Sequence, residues 1–128
     1  MIEYILDSTA LIALVGLEPG SQRVGGLLDN SAVSAVNLAE TANKLLEKGF
    51  SQEEVRESLA KLDLKVEDWS EAMAYRSVQF ARFNKSRGLS LGDRACLTLA
   101  KHFQATAVTS DRTWRRLPSL DVRIMILR

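Results

Sequence analysis

Five short apolar runs, rich in β-branched residues, recur along the chain: Ile2 to Leu6, Ala32 to Val36, Leu64 to Glu67, Thr106 to Thr109 and Val122 to Leu127. Each predicts a strand. The stretches between them carry helical periodicity. "STALIALVG" follows Asp7, a second helix covers Ser21 to Leu28, and Asn37 to Lys48 runs up to Gly49 as a left-handed cap. Ser51 opens the next helix with a Ser-Gln-Glu-Glu capping box. A long helix from Ser70 to Asn84, another from Leu91 to Phe103 and a last turn, "RTWRRL", complete the pattern. Strands that alternate with helices pair in parallel, because a parallel neighbour needs a crossover and helices are the usual ones. The expected fold class is α/β: a mostly parallel five-stranded sheet with helices on both faces, in one domain over residues 1–128.

In sheets of this kind ligands bind beyond the carboxyl ends of the strands. Two strands deliver an acid there. "MIEYILD" stops on Asp7, followed by Ser8 and Thr9, and "QATAVTSD" ends Thr109, Ser110, Asp111. Glu40 should lie close by, in the first turn of the helix after the second strand. Asp93 opens the helix before the fourth strand, but two helices separate the third strand from the fourth, so counting crossovers leaves its edge of the sheet open.

Each acid also has a plain structural reading. Asp7 can cap the first helix, contributing about 1 kcal/mol, and Asp111 can close an Asx turn. Asn37 with Glu40 and Ser90 with Asp93 have the spacing of capping boxes, as do Ser51 with Glu54 and Asp68 with Glu71, where no site is suspected. Convergence lifts the four acids above this background, with three of them, Asp7, Glu40 and Asp111, expected at the same edge of one sheet. Carboxylates within about 4 Å of one another repel by up to about 4 kcal/mol per pair at an effective dielectric near 20. A cation relieves that repulsion, and an all-oxygen ligand set suits Mg²⁺ or Mn²⁺ rather than zinc. With a cation in place the acidic pocket attracts phosphate. Ser8, Thr9, Thr109 and Ser110 are the hydroxyls placed to orient carboxylates or metal waters.

Composition bounds the alternatives. A 128-residue chain with 46% apolar residues buries about two-thirds of the surface its unfolded form exposes, so no metal or disulfide is needed to build a core. The single cysteine, Cys96, points to a reducing compartment. No leader pattern stands at the N-terminus and no apolar run approaches the roughly 18 residues of a membrane span. The chain reads as cytoplasmic, mature from Met1 and without a membrane partner. A net charge of +1 excludes binding nucleic acid by bulk electrostatics, so phosphate recognition must be local. The basic candidates are Arg112, Arg115 and Arg116 in "RTWRR", and Arg82, Lys85 and Arg87 in "RFNKSRG". Trp114 and Phe83 read as core rather than as stacking platforms. The only histidine, His102, sits late in a helix, which argues against a Ser-His-Asp triad or a histidine zinc site. Cys96 fits an inward helix position as small core filler, and the glycines lack phosphate-loop spacing.

These residues carry a family resemblance. "YILDSTALIAL", "SAVNLAETANKL", "GLSLGDRACLTLA" and "AVTSDRTWRRL" together resemble the four acidic motifs of a PIN-domain ribonuclease, in particular a VapC-type toxin of a toxin–antitoxin pair, over nearly the whole chain. The resemblance implies a PIN-like three-layer sandwich and Mg²⁺- or Mn²⁺-dependent cleavage of RNA, with metal-site roles for Asp7, Glu40, Asp93 and Asp111. It also implies a homodimer and a higher oligomer with a small cognate antitoxin. From the basic runs themselves, Arg87, Arg112 and Arg115 are the candidates to hold RNA phosphates if they flank the acids, although a solvated helix face is the commoner fate of such runs. The antitoxin is expected near the helix pair from Asn37 to Leu62, where Leu38, Leu45, Leu46, Val55 and Leu59 either line a groove or fill the core. Gly92 departs from the alanine usual in the family, and Arg94 and Cys96 replace a more apolar helix start.

Three rival readings remain. A response-regulator receiver needs a second acid beside Asp7 and a lysine after its last strand. Leu6 and Ser8 flank Asp7 instead, and the chain ends Leu127, Arg128; Asp68 is the one available phosphoacceptor. A phosphatase with an Asp-x-Asp motif fails at Thr9. A catalytically silent PIN-like module that binds RNA or protein is opposed by four intact acids.

Overall fold

A computed structural model describes residues 1–83, 89–117 and 121–127. The apolar runs form β1 (Tyr4–Leu6), β2 (Ser31–Ser34), β3 (Lys65–Glu67), β4 (Thr106–Thr109) and β5 (Ile124–Ile126). They make one sheet of order β3-β2-β1-β4-β5 in which every pairing is parallel. The α/β expectation holds. The chain steps outward from β1 to β2 and β3, then crosses back to β4 and β5. Strand order therefore reverses between β1 and β4, where a crevice opens at the carboxyl ends. Asp7 and Asp111 follow those two strands.

Alternation along the strands divides the core into two layers. Ile5, Ala32 and Ala107 point to one face, where they pack with Phe80, Leu97, Leu99 and Trp114. Leu6, Val33 and Val108 point to the other and meet Ala10, Leu11 and Val24. Six α-helices are described: α1 (Ser8–Val15), α2 (Ser21–Leu27), α3 (Ala35–Glu47), α4 (Gln52–Ala60), α5 (Glu71–Arg76) and α6 (Leu91–Phe103). A third cluster, Ile12, Leu45 and Val55, ties α1, α3 and α4 together. Among the described residues no helix is long and apolar enough to cross a membrane.

Several boundaries move from their expected places. β2 ends at Ser34 because that residue, still extended, caps α3 by accepting from the Val36 amide at 3.1 Å. Asn37 is not the cap. Helix α3 thus begins two residues earlier than expected, and Glu40 falls in its second turn. The box at Asp68 and Glu71 does not form either, since Ser70 caps α5. The expected long helix over 70–84 gives way at Ser77, whose hydroxyl donates to the Ala74 carbonyl at 2.7 Å, and the chain continues as a 3₁₀ helix over Ser77–Phe83. The boxes at Ser51 with Glu54 and Ser90 with Asp93 are both present.

Helix α3 closes as its sequence predicts. Gly49 takes a φ of 103°. Its amide donates to Leu46 O at 3.0 Å and that of Phe50 to Leu45 O at 3.1 Å, the two bonds of a Schellman motif. A Cβ at Gly49 would meet nothing within 4 Å. Gly49→Ala is therefore expected to destabilise by about 1 kcal/mol through backbone conformation alone. Urea unfolding checks this, and an unchanged midpoint would contradict it.

Candidate active site

Asp7 stands where β1 becomes α1. Its amide extends the ladder to Val108 O at 3.1 Å, and its Oδ1 accepts from the Ala10 amide at 2.9 Å, capping α1. Only 2% of the residue is exposed. Burial raises its pKa from an ordinary 3.8 to about 6, against the hydrogen bonds of Thr109, Thr9 and Ala10, and the charge of Asp93 adds to the rise. The Thr9 hydroxyl donates to Oδ1 at 2.6 Å and accepts from the Ser110 amide at 2.8 Å. Its one proton is then spent on Asp7, and Thr109 Oγ1 lies 3.2 Å away. Thr109 in turn accepts from the Asp111 amide at 3.0 Å. The two threonine hydroxyls thus join the Asp7 carboxylate to the backbone at the β4 tip. Ser8 is buried, but the hydrogen bonds to Asp7 come from other residues.

The crossover brings the start of α6 to the same edge. Helix α6 packs on α3 and across β1, β2 and β4. Asp93 Oδ2 accepts from the Ser90 amide at 2.9 Å. Its pKa is raised by burial first, against the Ser90 hydrogen bonds, and then by the charges of Asp111 and Glu40. Asp93 is thus the hub that feels all three other acids. Glu40 Oε1 accepts from Asn37 Nδ2 at 3.1 Å, and the same Nδ2 donates to Gly92 O at 3.0 Å. Asp111 Oδ1 accepts from the amide and hydroxyl of Thr113 at 2.9 and 2.7 Å, so the Asx reading of that residue is also correct. In each of the four, these hydrogen bonds fall on a single carboxylate oxygen.

The donor chemistry fits a hard divalent cation: four carboxylates, mutual repulsion and hydroxyls alongside. Asn37 Oδ1 and Ser110 Oγ are buried with no hydrogen-bond partner, acceptors suited to water around such an ion. Among the described residues the side chains do not form a closed set of three or more ligands.

A profile of the PIN domain matches residues 4–120. The chain belongs to the PIN domain family. Three solved structures show the same fold at low identity. VapBC2 from Rickettsia felis bound to a DNA fragment from its promoter has a TM-score of 0.74 at 21% identity, with 98% of each chain covered. DNA-bound VapBC from Salmonella typhimurium gives 0.71 at 20% with both chains fully covered. Mycobacterium tuberculosis VapC20, a Sarcin-Ricin loop cleaving toxin, gives 0.73 at 15%, covering 94% of this chain and 99% of that one. No curated protein sequence shows a significant match.

Among the described residues, one cleft reaches Asp111 and another lies between α3 and α4. The first, of about 430 Å³, is lined by Thr9, Glu18, Lys44, Lys48, Ser110 and Asp111; Lys48 pairs with Glu18 at 3.6 Å. It brings Lys44 and Lys48 into one cleft with Asp111, two lysines that sequence reading did not single out, because on the sequence they resemble any solvated helix face. The other, of about 460 Å³, runs between α3 and α4 and includes Leu38, Val55, Leu59 and Val66. Leu45 is buried at 2% exposure in the core, and Leu46 is exposed. Arg112 and Arg115 are exposed on the 3₁₀ helix Arg112–Arg116. Arg87 and Lys85 lie outside the described residues, as do the side chains of Arg82 and Phe83. Trp114 and Cys96 are core residues, as expected. His102 is an exposed partner of Arg76 at 2.9 Å. Asp68 follows the outer strand β3, away from the β1–β4 crevice, which removes the receiver's phosphoacceptor.

The raised pKa of Asp7 has a thermodynamic sign. Between about pH 4 and 6 the folded protein binds more protons than the unfolded chain, so stability falls as pH rises through that window. At about 1.4 kcal/mol per unit, the shift from 3.8 to about 6 amounts to about 3 kcal/mol. Without added metal, Asp7→Asn should be the more stable protein at pH 7, by up to that amount, and the gap should close below about pH 4. Urea titrations across this range measure it; a variant less stable at pH 7 would refute the burial penalty.

Proposed function

We propose that this PIN domain is an Mg²⁺- or Mn²⁺-dependent endoribonuclease and the toxin of a toxin–antitoxin pair. The observation that carries the reading is the gathering of four acids at one edge: Asp7 and Asp111 follow β1 and β4, Asp93 stands in the first turn of α6, and Asn37 ties Glu40 to Gly92 beside it. Asp7 and Asp93 would hold the cation directly, Glu40 would complete the acidic wall, and Asp111 would act through water. When bound, the cation polarises the phosphoryl oxygen and favours ionisation of water at the site. The residues supply orientation. Thr9 and Ala10 fix Asp7 through Oδ1, Ser90 fixes Asp93 through Oδ2, and Asn37 fixes Glu40. Lys44 and Lys48 on one side, with Arg112 and Arg115 on the other, are suited to hold the phosphates that flank the cut. The solved VapC and VapBC relatives support RNA as substrate and an antitoxin as partner.

RNA cleavage is expected to require Mg²⁺ or Mn²⁺ and to stop in excess chelator. Asp7→Asn and Asp93→Asn should each lower the rate at least about a hundredfold while leaving a folded protein, checked by gel assay and circular dichroism. Robust cleavage by Asp7→Asn would sink the metal-nuclease mechanism.

The antitoxin is proposed to lay an apolar segment along the α3–α4 groove over Leu38, Val55 and Leu59. Tyr75 and Val78, exposed at 71% and 63%, offer an apolar surface for homodimer formation. Leu59→Asp should weaken antitoxin binding at least about tenfold and spare cleavage by the free toxin. Calorimetry with the protein encoded beside this one tests that, and unchanged affinity would exclude the groove.

A further inference from the structure

We propose that Gly92 is a positioning residue for Glu40: the absence of a side chain at the second residue of α6 allows the Glu40 carboxylate to lie against the helix beside Asp93. The inference rests on the cation-site reading of Glu40 and adds what sets the place of that carboxylate. A Cβ built at Gly92 would fall within 3.0 Å of all three carboxylate atoms of Glu40, closer than real Cβ atoms come to a neighbour. Backbone conformation does not explain the glycine, because its φ is not positive. Helix propensity argues against it, since alanine is the better helix former there. What remains is close approach.

Asn37 completes the device. It is 1% exposed, and its Nδ2 donates both to Gly92 O and to Glu40 Oε1 at 3.0 and 3.1 Å. One amide thus ties the carboxylate of α3 to the backbone of α6 at the spot a side chain would occupy. The atoms a Cβ would displace are the far end of a flexible side chain. Gly92→Ala should therefore fold and push Glu40 away from Asn37.

The experiment compares native protein, Gly92→Ala, Glu40→Ala and the double variant. In the metal-free proteins, the side-chain amide signals of Asn37 in a ¹H–¹⁵N spectrum should shift in Gly92→Ala toward their position in Glu40→Ala, with a melting temperature at or above native. By calorimetry, Gly92→Ala should weaken Mn²⁺ binding by about 10- to 100-fold and add less than about twofold in the Glu40→Ala background, as required of a residue that acts only through Glu40. Native-like Mn²⁺ affinity with native Asn37 signals would overturn the proposal. So would loss of folding, or an equal loss of affinity in both backgrounds. If the native protein binds no Mn²⁺, the cation reading fails, while the Asn37 signals still report whether Gly92 sets Glu40.

Discussion

Holding like charges together at one rigid edge is the constraint on which the rest of this structure depends. Asp7 is a carboxylate with its own solvent removed, and Asp93 feels three further acids. Exposed on flexible loops, such groups would separate. Here the strand ladder pins the Asp7 backbone to Val108, and the two apolar layers hold α1 and α6 against opposite faces of the sheet. Core packing therefore supplies the force that keeps the acids close, and local donors offset part of the cost. Thr9, Ala10, Ser90, Asn37 and Thr113 each satisfy one carboxylate oxygen.

Those hydrogen bonds also remove the choice between cap and site. Asp7 and Asp111 do cap the elements that follow them, and Asp93 closes the capping box of its own helix with Ser90. A carboxylate has two oxygens, and a cap uses one. Capping restrains the side chain through that oxygen, so the structural role is compatible with the proposed chemical one. The three solved VapC and VapBC structures share the fold at 15 to 21% identity. Conserving this arrangement of edge and helix starts asks little of the intervening sequence beyond its apolar pattern.

Helix α3 serves three neighbours with different faces. Asn37 and Glu40 meet α6, Leu45 packs with Ile12 and Val55, and Leu38 looks into the groove toward α4. Asn37 is the residue whose role sequence reading missed. Three residues before Glu40 it has the spacing of a cap, and nothing local distinguishes a cap from an interior clamp. Ser34 took the cap because β2 ends there in an extended conformation. Ser77 likewise ended a helix that periodicity alone would have continued.

By itself the sequence determined what nearest neighbours along the chain can settle. Short β-branched runs separated by helices required a parallel sheet. "SQEE" and "SLGD" specified their capping boxes, Gly49 its turn, and the strand ends of β1 and β4 put Asp7 and Asp111 on one edge. These rest on interactions within about four residues, where backbone geometry leaves few options. Tertiary structure alone decided the rest. It put β1 between β2 and β4, brought the start of α6 to the acidic edge, and set Asn37 against Gly92, 55 residues away in the chain. The physical reason is that a contact between distant segments depends on how whole layers pack, and the local pattern at Gly92 carries no trace of the carboxylate that lies over it.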